Sequence, residues 1–570
     1  MKKLDFRALT VFYREKKNQF AAGEFFGKII RAACVLYSYT QNKELFEKIR
    51  SSVYEMIDLQ GEDGEISTAP KAEQPNGSSG ADLWERKYVM LGLLEYYGIT
   101  EDENVKNALI KLLDYTIAQV GAEEGKTGIL DTGWAFCGIE SSSILEPVVK
   151  IYRLSKEKRH LDFADYIVEC GFCKRENVVD ALLAGKPPYR IGDNGTPEQS
   201  IAKAYEMMSC FEGLTEYYRV KEDERLRTAV LTLYNKLVEE EITELGSGGA
   251  DGPFNLGPGT GEQWNRTRYE QANPDLDLMM ETCVTVTWMK LCLQLLRLEG
   301  GSRYADNIET SAINALCGAL RPDGEFYEYF PRFNGVRNPK VNFSYKVGDI
   351  DLSCCTANGP MGAALVPFIA FMKCEKGPVI NFYVNGSADI DGAIIKTETA
   401  FPETGELTVR VSGAKIKTAI VIRKAGFAEN YTFYSNSVIS VRPSEAYEGY
   451  YEITGDLTDG TVIKVKFDIT DKTVVSAGSI NEKGNGRLLL KHGPVVLSRD
   501  AVYTDIKGGV IYEERPLLKN AAKTNGELLH FIYGGYEWID YQSAGGTWDG
   551  ASGFVTWNER KAAPPDETER

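Results

Sequence analysis

The sequence predicts an α+β multidomain protein, in which an (α/α)6 helical toroid is followed by antiparallel β-sandwich domains. Apolar residues recur at helical spacing from about residue 19 to 373. After "KCEKGP" the pattern changes to the alternation of strands, as in "ELTVRVSG" and "TVIKVKFDI". A chain of 570 residues also exceeds what one hydrophobic core supports. We therefore expect a helical domain over residues 1–375 and β-sandwich regions over 376–490 and 491–570.

The helical segments come in pairs along the chain, about twelve in all. Examples are "RKYVMLGLLEYY" before "VKNALIKLLDYTIAQ", and "VTWMKLCLQLLRL" before "YADNIETSAINALCGAL", with "NGPMGAALVPFIAFM" closing the series. Consecutive helical hairpins without a short fixed repeat favour a closed toroid over an open solenoid. The alternating segments that follow predict one or two sandwiches, and "NERKAAPPDETER" is typical of a frayed tail.

Composition excludes several classes of partner. A formal net charge of −17 leaves no broad positive surface for nucleic acid or for an anionic membrane. The start, "MKKLDFRALTVFYREKKNQF", lacks the apolar stretch of a signal peptide, and no later span is long enough to cross a bilayer. Eleven cysteines, an odd number, then indicate free thiols or metal ligands in a reducing compartment, so the cytoplasm is expected.

Two short motifs indicate a metal centre. "METCVTV" supplies Glu281 and Cys283, and "LSCCTAN" supplies the adjacent Cys354 and Cys355. Three sulfurs and one carboxylate suit Zn²⁺ in a tetrahedral site. Neighbouring α-carbons lie about 3.8 Å apart, so both thiolates can reach one ion, whereas a disulfide between them would be strained. The alternative is a set of buried thiols that act as small hydrophobes. Because residues two apart share a side only in extended chain, Glu281 and Cys283 are expected before the helix proper.

These motifs resemble those of a known family. The Glu-Thr-Cys triplet at 281–283, the Cys-Cys-x-x-Asn at 354–358, the preceding helices and the following sandwiches resemble glycoside hydrolase family 127, whose members include retaining β-L-arabinofuranosidases. The resemblance implies zinc on Glu281, Cys283, Cys354 and Cys355, with Cys354 as the nucleophile. It further implies release of a terminal β-L-arabinofuranosyl-like sugar from plant-derived oligosaccharides or small glycosides. A thiolate is the reactive form of cysteine, and retaining hydrolysis also needs an acid for the leaving oxygen.

The resemblance also points to the acid. In "GPGTGEQWN", Gly261, Glu262 and Trp264 match the Gly-Glu-x-aromatic motif that carries the proposed acid/base of the family. Glu262 is thus the predicted acid/base, and Trp264 is expected beside the sugar. The spacing to the zinc triplet is slightly longer here. Without the resemblance, a solvated loop glutamate is the alternative for Glu262.

Further positions are expected to contact substrate. Glu309 in "ADNIETSAINAL" matches a family glutamate near the sugar, with an exposed helix carboxylate as the alternative. Tyr329 and its neighbour Tyr327 in "GEFYEYF" fall near a substrate-facing tyrosine of the family. These placements follow from the resemblance alone.

The sugar pocket departs from the family pattern. Family members line it with several histidines, but the three histidines of this chain, His160, His492 and His530, fall elsewhere. Tyr88, Ser141 and Lys203 lie near the lost positions. Lysine in such a pocket can hold a carboxylate, which raises the hypothesis of an acidic sugar; the alternative is an ordinary surface lysine.

Two other functional hypotheses remain open from the sequence. One is a toroid hydrolase or lyase for uronate-containing oligosaccharides, in which zinc is purely structural. The other is a non-catalytic carbohydrate-binding protein on a decayed enzyme scaffold. The sandwiches are candidates for capping the barrel, for contacting long substrates or for forming a homodimer. "CGFC" at 170–173 has redox spacing but lacks a βαβ setting, which favours a structural role.

Overall fold

The computed structural model describes residues 3–77, 79–134, 137–192, 202–249, 262–276, 280–337, 344–480 and 482–561. Its first helices are α1 (Val11–Arg14), α2 (Glu24–Thr40), α3 (Lys43–Asp58), α4 (Asp82–Thr100), α5 (Glu103–Gln119), α6 (Ile139–Ser142), α7 (Leu145–Ser155) and α8 (Lys158–Glu169). The remaining helices are α9 (Val178–Leu183), α10 (Ala204–Lys221), α11 (Glu224–Lys236), α12 (Thr267–Glu270), α13 (Thr282–Glu299), α14 (Ser302–Ser311), α15 (Cys317–Ala319) and α16 (Cys354–Ala370).

Six of these helices form a closed inner ring. Along the chain, α2, α4, α7, α10, α13 and α16 each contact the next, and α16 contacts α2 again. Helices α3, α5, α8, α11 and α14 follow the first five members of the ring as outer partners. The predicted toroid of helical hairpins is thus confirmed, and the closing helix begins at Cys354 rather than at Asn358.

The hairpins share one kind of turn. The five inner helices that precede an outer helix each end at a residue in the left-handed conformation: Gln41, Glu101, Lys156, Glu222 and Gly300, with φ from 52° to 72°. At three of these turns the next residue is Asn or Asp and its side chain caps the outer helix; for example, the Asn42 side chain accepts from the Leu45 amide at 3.0 Å. A left-handed C-cap followed at once by an N-cap reverses the chain within two residues.

The C-terminal region consists of sheets. The strands of its first part are β4 (Phe371–Cys374), β5 (Gly377–Ile380), β6 (Gly386–Ile390), β7 (Ala393–Thr399), β8 (Glu406–Gly413), β9 (Ile420–Arg423), β10 (Ala428–Ser435), β11 (Ile439–Pro443), β12 (Tyr450–Gly455) and β13 (Val462–Ile469). Those of the last part are β14 (Asp471–Val475), β15 (Leu488–His492), β16 (Val495–Asp500), β17 (Lys519–Asn520), β18 (His530–Tyr533), β19 (Tyr536–Asp540) and β20 (Phe554–Val555). Before them, β1 (Asn334–Gly335), β2 (Tyr345–Val347) and β3 (Ile350–Leu352) lie ahead of α16.

Two five-stranded sheets, in the orders β10-β13-β8-β7-β6 and β11-β12-β9-β5-β4, enclose one hydrophobic core. Ile395, Val409, Ile420 and Ile453 are among its buried members. All described strand pairs of these two sheets are antiparallel except β5 with β9, which are parallel. This pair departs from the expected antiparallel pattern because the intervening chain crosses to the other sheet, and such a crossover can bring parallel strands together.

A third sheet contains β14 to β20 and also β1 from the helical part of the chain. The chain passes from the two five-stranded sheets to this third sheet between Ile469 and Asp471. The domain limits predicted at residues 375 and 490 stay predictions. The helical domain and the sheets are held together by polar contacts: Val496 donates its amide to the Asn314 side chain at 2.9 Å, and Arg423 of β9 contacts Glu309 of α14 at 2.5 Å. In the part of the chain that the structure describes, no helix combines the length and hydrophobicity needed to cross a bilayer.

Candidate metal and catalytic site

The predicted ligands converge at one end of the inner ring. The candidate ligand atoms of Glu281, Cys283, Cys354 and Cys355 all lie within 4.8 Å of one another. The Cys355 sulfur is 3.5 Å from Glu281 Oε1 and 4.0 Å from the Cys354 sulfur. Among the four residues, Cys354 alone is partly exposed, whereas the other three are buried.

The start of α13 positions the first two ligands. Glu281 is the N-cap and has extended backbone, with φ −124° and ψ 133°, and its amide donates to the Gly248 carbonyl at 2.9 Å. Cys283 lies inside the first turn of the helix, so the expectation that both residues precede the helix is wrong for Cys283. One extended residue followed by a helical turn brings both side chains to the same side.

The start of α16 positions the other two. Ser353 is its N-cap, and the Ser353 hydroxyl accepts from the Thr356 amide at 3.1 Å. Cys354 and Cys355 are therefore the first two residues of the helix. A helix N-terminus favours negative charge and lowers thiol pKa values, so this position stabilises thiolate at both sulfurs.

The four acidic groups compete for protons. Hydrogen bonds from the Cys283 and Cys355 thiols, aided by the charge of Lys28, hold the pKa of Cys354 well below its usual value despite burial. Burial raises the pKa of Cys283, of Cys355 and of Glu281 well above the ordinary values. Four such groups in one buried space cannot all ionise unless a cation joins them. Three sulfurs, one carboxylate and a buried Glu281 Oε2 that lacks a hydrogen-bond partner among the described residues fit a divalent ion of the zinc type.

Glu262 and Tyr329 lie beside the nucleophile candidate. The Cys354 sulfur is 3.0 Å from the Tyr329 hydroxyl, and that hydroxyl donates to Glu262 Oε1. The main chain fixes Glu262 from both sides: its carbonyl accepts from the Ala204 amide at 3.0 Å, and its amide donates to the Gly249 carbonyl at 3.1 Å. The predicted acid/base and the predicted nucleophile are thus joined through one tyrosine. Gly261, the motif residue before Glu262, lies outside the described residues.

Lys203 is buried and forms an ion pair with Glu262 Oε2, so it is not an ordinary surface lysine. Burial alone would lower the pKa of Lys203, but the negative charges of Glu262 and Glu206 outweigh it and raise the pKa. Its positive charge is therefore engaged inside the site.

The two predicted aromatic residues are buried nearby. Trp264 is fully buried, and its amide donates to the Ala202 carbonyl at 2.8 Å. The Tyr88 hydroxyl is hydrogen-bonded to that of Tyr205, and the Tyr88 ring centre is 5.1 Å from the Lys28 ammonium. Their contacts with substrate stay predictions.

Comparison with known proteins decides the family. The family profile described as the β-L-arabinofuranosidase, glycoside hydrolase family 127 catalytic domain matches residues 5–366. This chain belongs to glycoside hydrolase family 127. A non-reducing end β-L-arabinofuranosidase of Bifidobacterium longum subsp. longum is 22% identical over 448 residues, which are 73% of this chain and 65% of that protein. The match thus spans slightly less than two thirds of the relative.

Solved structures of the family share the fold of this chain. A crystal structure of a family 127 β-L-arabinofuranosidase from Geobacillus stearothermophilus T6 aligns with a TM-score of 0.76 at 16% identity, covering 98% of this chain and 94% of that one. A second family 127 β-arabinofuranosidase aligns with a TM-score of 0.74, also at 16% identity and with the same coverage of both chains. The agreement extends through the β-sheets, so the sandwich region is part of the shared architecture.

One residue predicted from the family pattern lies apart from the cluster. Glu309 is buried, neither exposed nor beside the sulfurs, and its carboxylate pairs with Arg423 at 2.5 Å at the junction with the sandwich. Asp306, one turn earlier, pairs with the same arginine at 3.0 Å. Glu309 is therefore not part of the cluster around Cys354. A substrate-binding role for Glu309 stays a prediction, and these contacts do not support it.

Tyr327 is also buried. Its ring packs on Gly359 of α16, where an added Cβ would approach the ring to 2.5 Å. Gly359 therefore permits the close approach of this tyrosine segment to α16.

Sequence reasoning missed a charged pair on α2. Lys28 is 2% exposed, and its ammonium lies 3.9 Å from the Cys283 sulfur and 3.0 Å from Glu24 Oε1. Glu24 also accepts from the Trp84 indole at 2.6 Å, and burial raises the pKa of Glu24 to about 7. The signal was present in "GEFFGKII", where two charges four residues apart interrupt an otherwise apolar helix face.

Proposed function

We propose that this protein is a zinc-dependent retaining glycoside hydrolase that releases a terminal β-L-arabinofuranosyl-like sugar from plant-derived oligosaccharides. The observation that carries the proposal is the position of Cys354. Its sulfur belongs to the cluster of four candidate ligands and lies 3.0 Å from the Tyr329 hydroxyl that also donates to Glu262, and Cys354 is the one partly exposed residue of the four. Family membership and the curated relative support the same activity.

Glu281, Cys283, Cys354 and Cys355 would hold the zinc ion. When bound, zinc would supply the positive charge that keeps the cysteines as thiolates at neutral pH. The position of both paired cysteines at the start of α16 acts in the same direction.

In the first step, the Cys354 thiolate attacks the anomeric carbon of the sugar. A carbon–sulfur bond forms while the bond to the leaving oxygen breaks, and protonated Glu262 donates its proton to that oxygen. Tyr329 and Lys203 orient Glu262 through its two carboxylate oxygens.

In the second step, ionised Glu262 takes a proton from water as the water oxygen attacks the anomeric carbon. The carbon–sulfur bond breaks, and Cys354 leaves with the electron pair as a thiolate. Two displacements at the same carbon retain the anomeric configuration. No oxidant or other co-reactant is needed.

The test is hydrolysis of an aryl β-L-arabinofuranoside by the zinc-loaded chain, with the first product followed by NMR. We expect the β-anomer to appear first. Cys354→Ser should abolish turnover while at least part of the zinc remains bound. The matched control is Cys374→Ser, which replaces a half-buried cysteine of β4 and should leave turnover unchanged. If Cys354→Ser cleaves the substrate at the unmodified rate, the sulfur is not the nucleophile and the metal is structural.

We also propose that the protein acts on oligosaccharides taken into the cytoplasm. All eleven cysteines lie in the described part of the chain and are free, which supports a reducing compartment. A homodimer stays a prediction, to be tested by sedimentation of the purified chain.

A further inference from the structure

Two neighbouring elements of the barrel carry buried polar groups that lack partners. On α6, the hydroxyls of Ser141 and Ser142 have no hydrogen-bond partner among the described residues, and the Glu140 carboxylate is approached only by the backbone amides of Trp134 and of Glu140 itself. On α10, Glu206 Oε2 also has no hydrogen-bond partner in the described part of the chain. Glu140 and Ser141 are 0% exposed and Glu206 is 5% exposed, while α6 and α10 contact each other.

These groups lie beside the proposed catalytic residues. Glu206 follows Lys203 by three residues at the start of α10, so both side chains lie on one face of the first turn. The charge of Glu206 acts on both Lys203 and Glu281, raising the pKa of each. The charges of Glu206 and Lys203 also act on Glu140: Glu206 raises the pKa of Glu140 and Lys203 lowers it.

Such an arrangement is costly unless something binds there. A buried carboxylate or hydroxyl without a partner loses its hydration and gains nothing in exchange. Burial raises the pKa of Glu140 to about 8 and also raises the pKa of Glu206. Burial also raises the pKa of Glu212 on the same helix, but that carboxylate has a partner, since it accepts from Lys290 at 2.8 Å.

We infer that Glu206, Glu140 and Ser141 form a wall that hydrogen-bonds hydroxyl groups of a neutral sugar ring and so selects neutral over acidic sugars. This inference rests on the proposed function, because it places the ring next to Cys354 and Glu262. The Glu206 carboxylate accepts strong hydrogen bonds from hydroxyl donors, whereas the Ser141 hydroxyl and a protonated Glu140 can donate as well as accept. The charge of Glu206 repels a uronate, and Lys203 offers no compensation because its own charge is engaged by Glu262. The wall thus opposes the acidic-sugar hypothesis raised from the sequence.

Calorimetric binding to the zinc-loaded full chain tests the inference with two matched probes. The first is 1,4-anhydro-L-arabinitol, a neutral furanose ring without a leaving group. The second is the same compound with its hydroxymethyl group oxidised to a carboxylate. We expect the neutral probe to bind at least roughly tenfold more tightly. Equal or tighter binding of the carboxylate probe overturns the inference, as does absence of binding by the neutral probe.

Glu206→Gln should weaken binding of the neutral probe roughly tenfold, because a charge-assisted hydrogen bond is lost. The same change should leave binding of the carboxylate probe unchanged or improve it, because repulsion falls. Ser141→Ala is a second, smaller change that should also weaken the neutral probe. A loss below about threefold in Glu206→Gln contradicts the proposed wall.

Glu212→Gln is the matched control on the same helix. It removes a buried carboxylate that is already paired with Lys290, so Tm should fall while affinity for the neutral probe stays the same. Glu206→Gln should instead change Tm little, because the loss of the attraction between Glu206 and Lys203 is offset by relief of the burial of the Glu206 charge. A fall in Tm and in affinity together would show that Glu206 is merely structural.

The outcome is separable from that of the proposed function. Binding of a probe that cannot be hydrolysed does not require the nucleophile or the acid to work. Selective binding of the neutral probe without hydrolysis of aryl arabinofuranosides would support the wall and overturn the catalytic proposal. Hydrolysis of aryl arabinofuranosides together with unchanged probe binding in Glu206→Gln would support the catalytic proposal and overturn the wall.

Discussion

The Lys28 ammonium lies 3.9 Å from the Cys283 sulfur, and both side chains are buried within the inner ring. Burial alone would lower the pKa of Lys28, but the negative charges of Cys283 and Glu24 outweigh it and raise the pKa well above its ordinary value. With a divalent ion bound, three thiolates and one carboxylate would leave a net charge of about −2 on the proposed centre. A fixed cation next to one of the ligands offsets part of that charge.

Replacing this cation should weaken metal binding. We expect Lys28→Met to lower zinc affinity about tenfold or more, because an unscreened buried charge next to an anionic centre contributes at least ~1.4 kcal/mol. Competition with a chromogenic chelator measures the affinity directly. Lys290→Met, which removes another buried lysine paired with Glu212, is the control and should leave zinc affinity unchanged. Equal zinc affinities for Lys28→Met and the unmodified chain would contradict this role.

Tyr329→Phe should separate catalysis from metal binding. The change removes the hydroxyl that contacts both the Cys354 sulfur and Glu262, but it leaves all four ligands in place. We expect kcat/KM to fall roughly 10- to 100-fold, because the acid is no longer oriented, and zinc content to stay constant. Tyr327→Phe is the control, since that ring packs on Gly359. A rate within twofold of the unmodified chain would exclude a positioning role for Tyr329.

Glu309→Gln should affect stability more than substrate binding. The carboxylate is buried against Arg423, which reaches it from the sandwich, and the substitution leaves a buried guanidinium with weaker pairing. We expect the free energy of unfolding to drop by about 3 kcal/mol with little change in KM. Denaturant unfolding and steady-state kinetics on the same preparation measure both. A large rise in KM at unchanged stability would instead confirm the substrate-binding role predicted from the family.

Lys87 should make stability depend on pH. Burial, with repulsion from Lys290, lowers the pKa of Lys87 to about 7 in the folded protein, whereas an unfolded lysine titrates near ~10.4. Between these values the unfolded state binds more protons, so the free energy of unfolding rises with pH by up to about 1.4 kcal/mol per unit. Below pH 7 both states are protonated and this contribution is constant.

The measurement is the difference between Lys87→Met and the unmodified chain, which cancels the titration of the cysteines. The stability advantage of Lys87→Met should be largest at pH 7 and should shrink towards pH 10. A difference that does not vary with pH would show that Lys87 is charged throughout. The Lys87 ammonium donates to the Ser143 hydroxyl at 3.0 Å, and Lys87→Met loses this hydrogen bond at every pH.

The architecture and the grouping of the four candidate metal ligands could be predicted from the amino-acid sequence. Helical and alternating periodicities are local properties, so they predicted the toroid and the sheets before any contact was known. Glu281, Cys283, Cys354 and Cys355 could be grouped because few combinations of residue types suit a metal, and chemistry of that kind is visible without coordinates. The family motifs likewise predicted Glu262 and Tyr329, which the fold brings together.

Which buried charges meet could be seen only from the folded chain. Lys28 lies 255 positions from Cys283 in sequence, and Glu309 pairs with an arginine of the sandwich 114 positions later. No local pattern encodes such pairs, because the electrostatic energy of a charge depends on its burial and on neighbours that the folded chain supplies. For the same reason Glu206 is an ordinary helix glutamate in the sequence, whereas in the barrel it is a buried carboxylate whose Oε2 lacks a partner among the described residues.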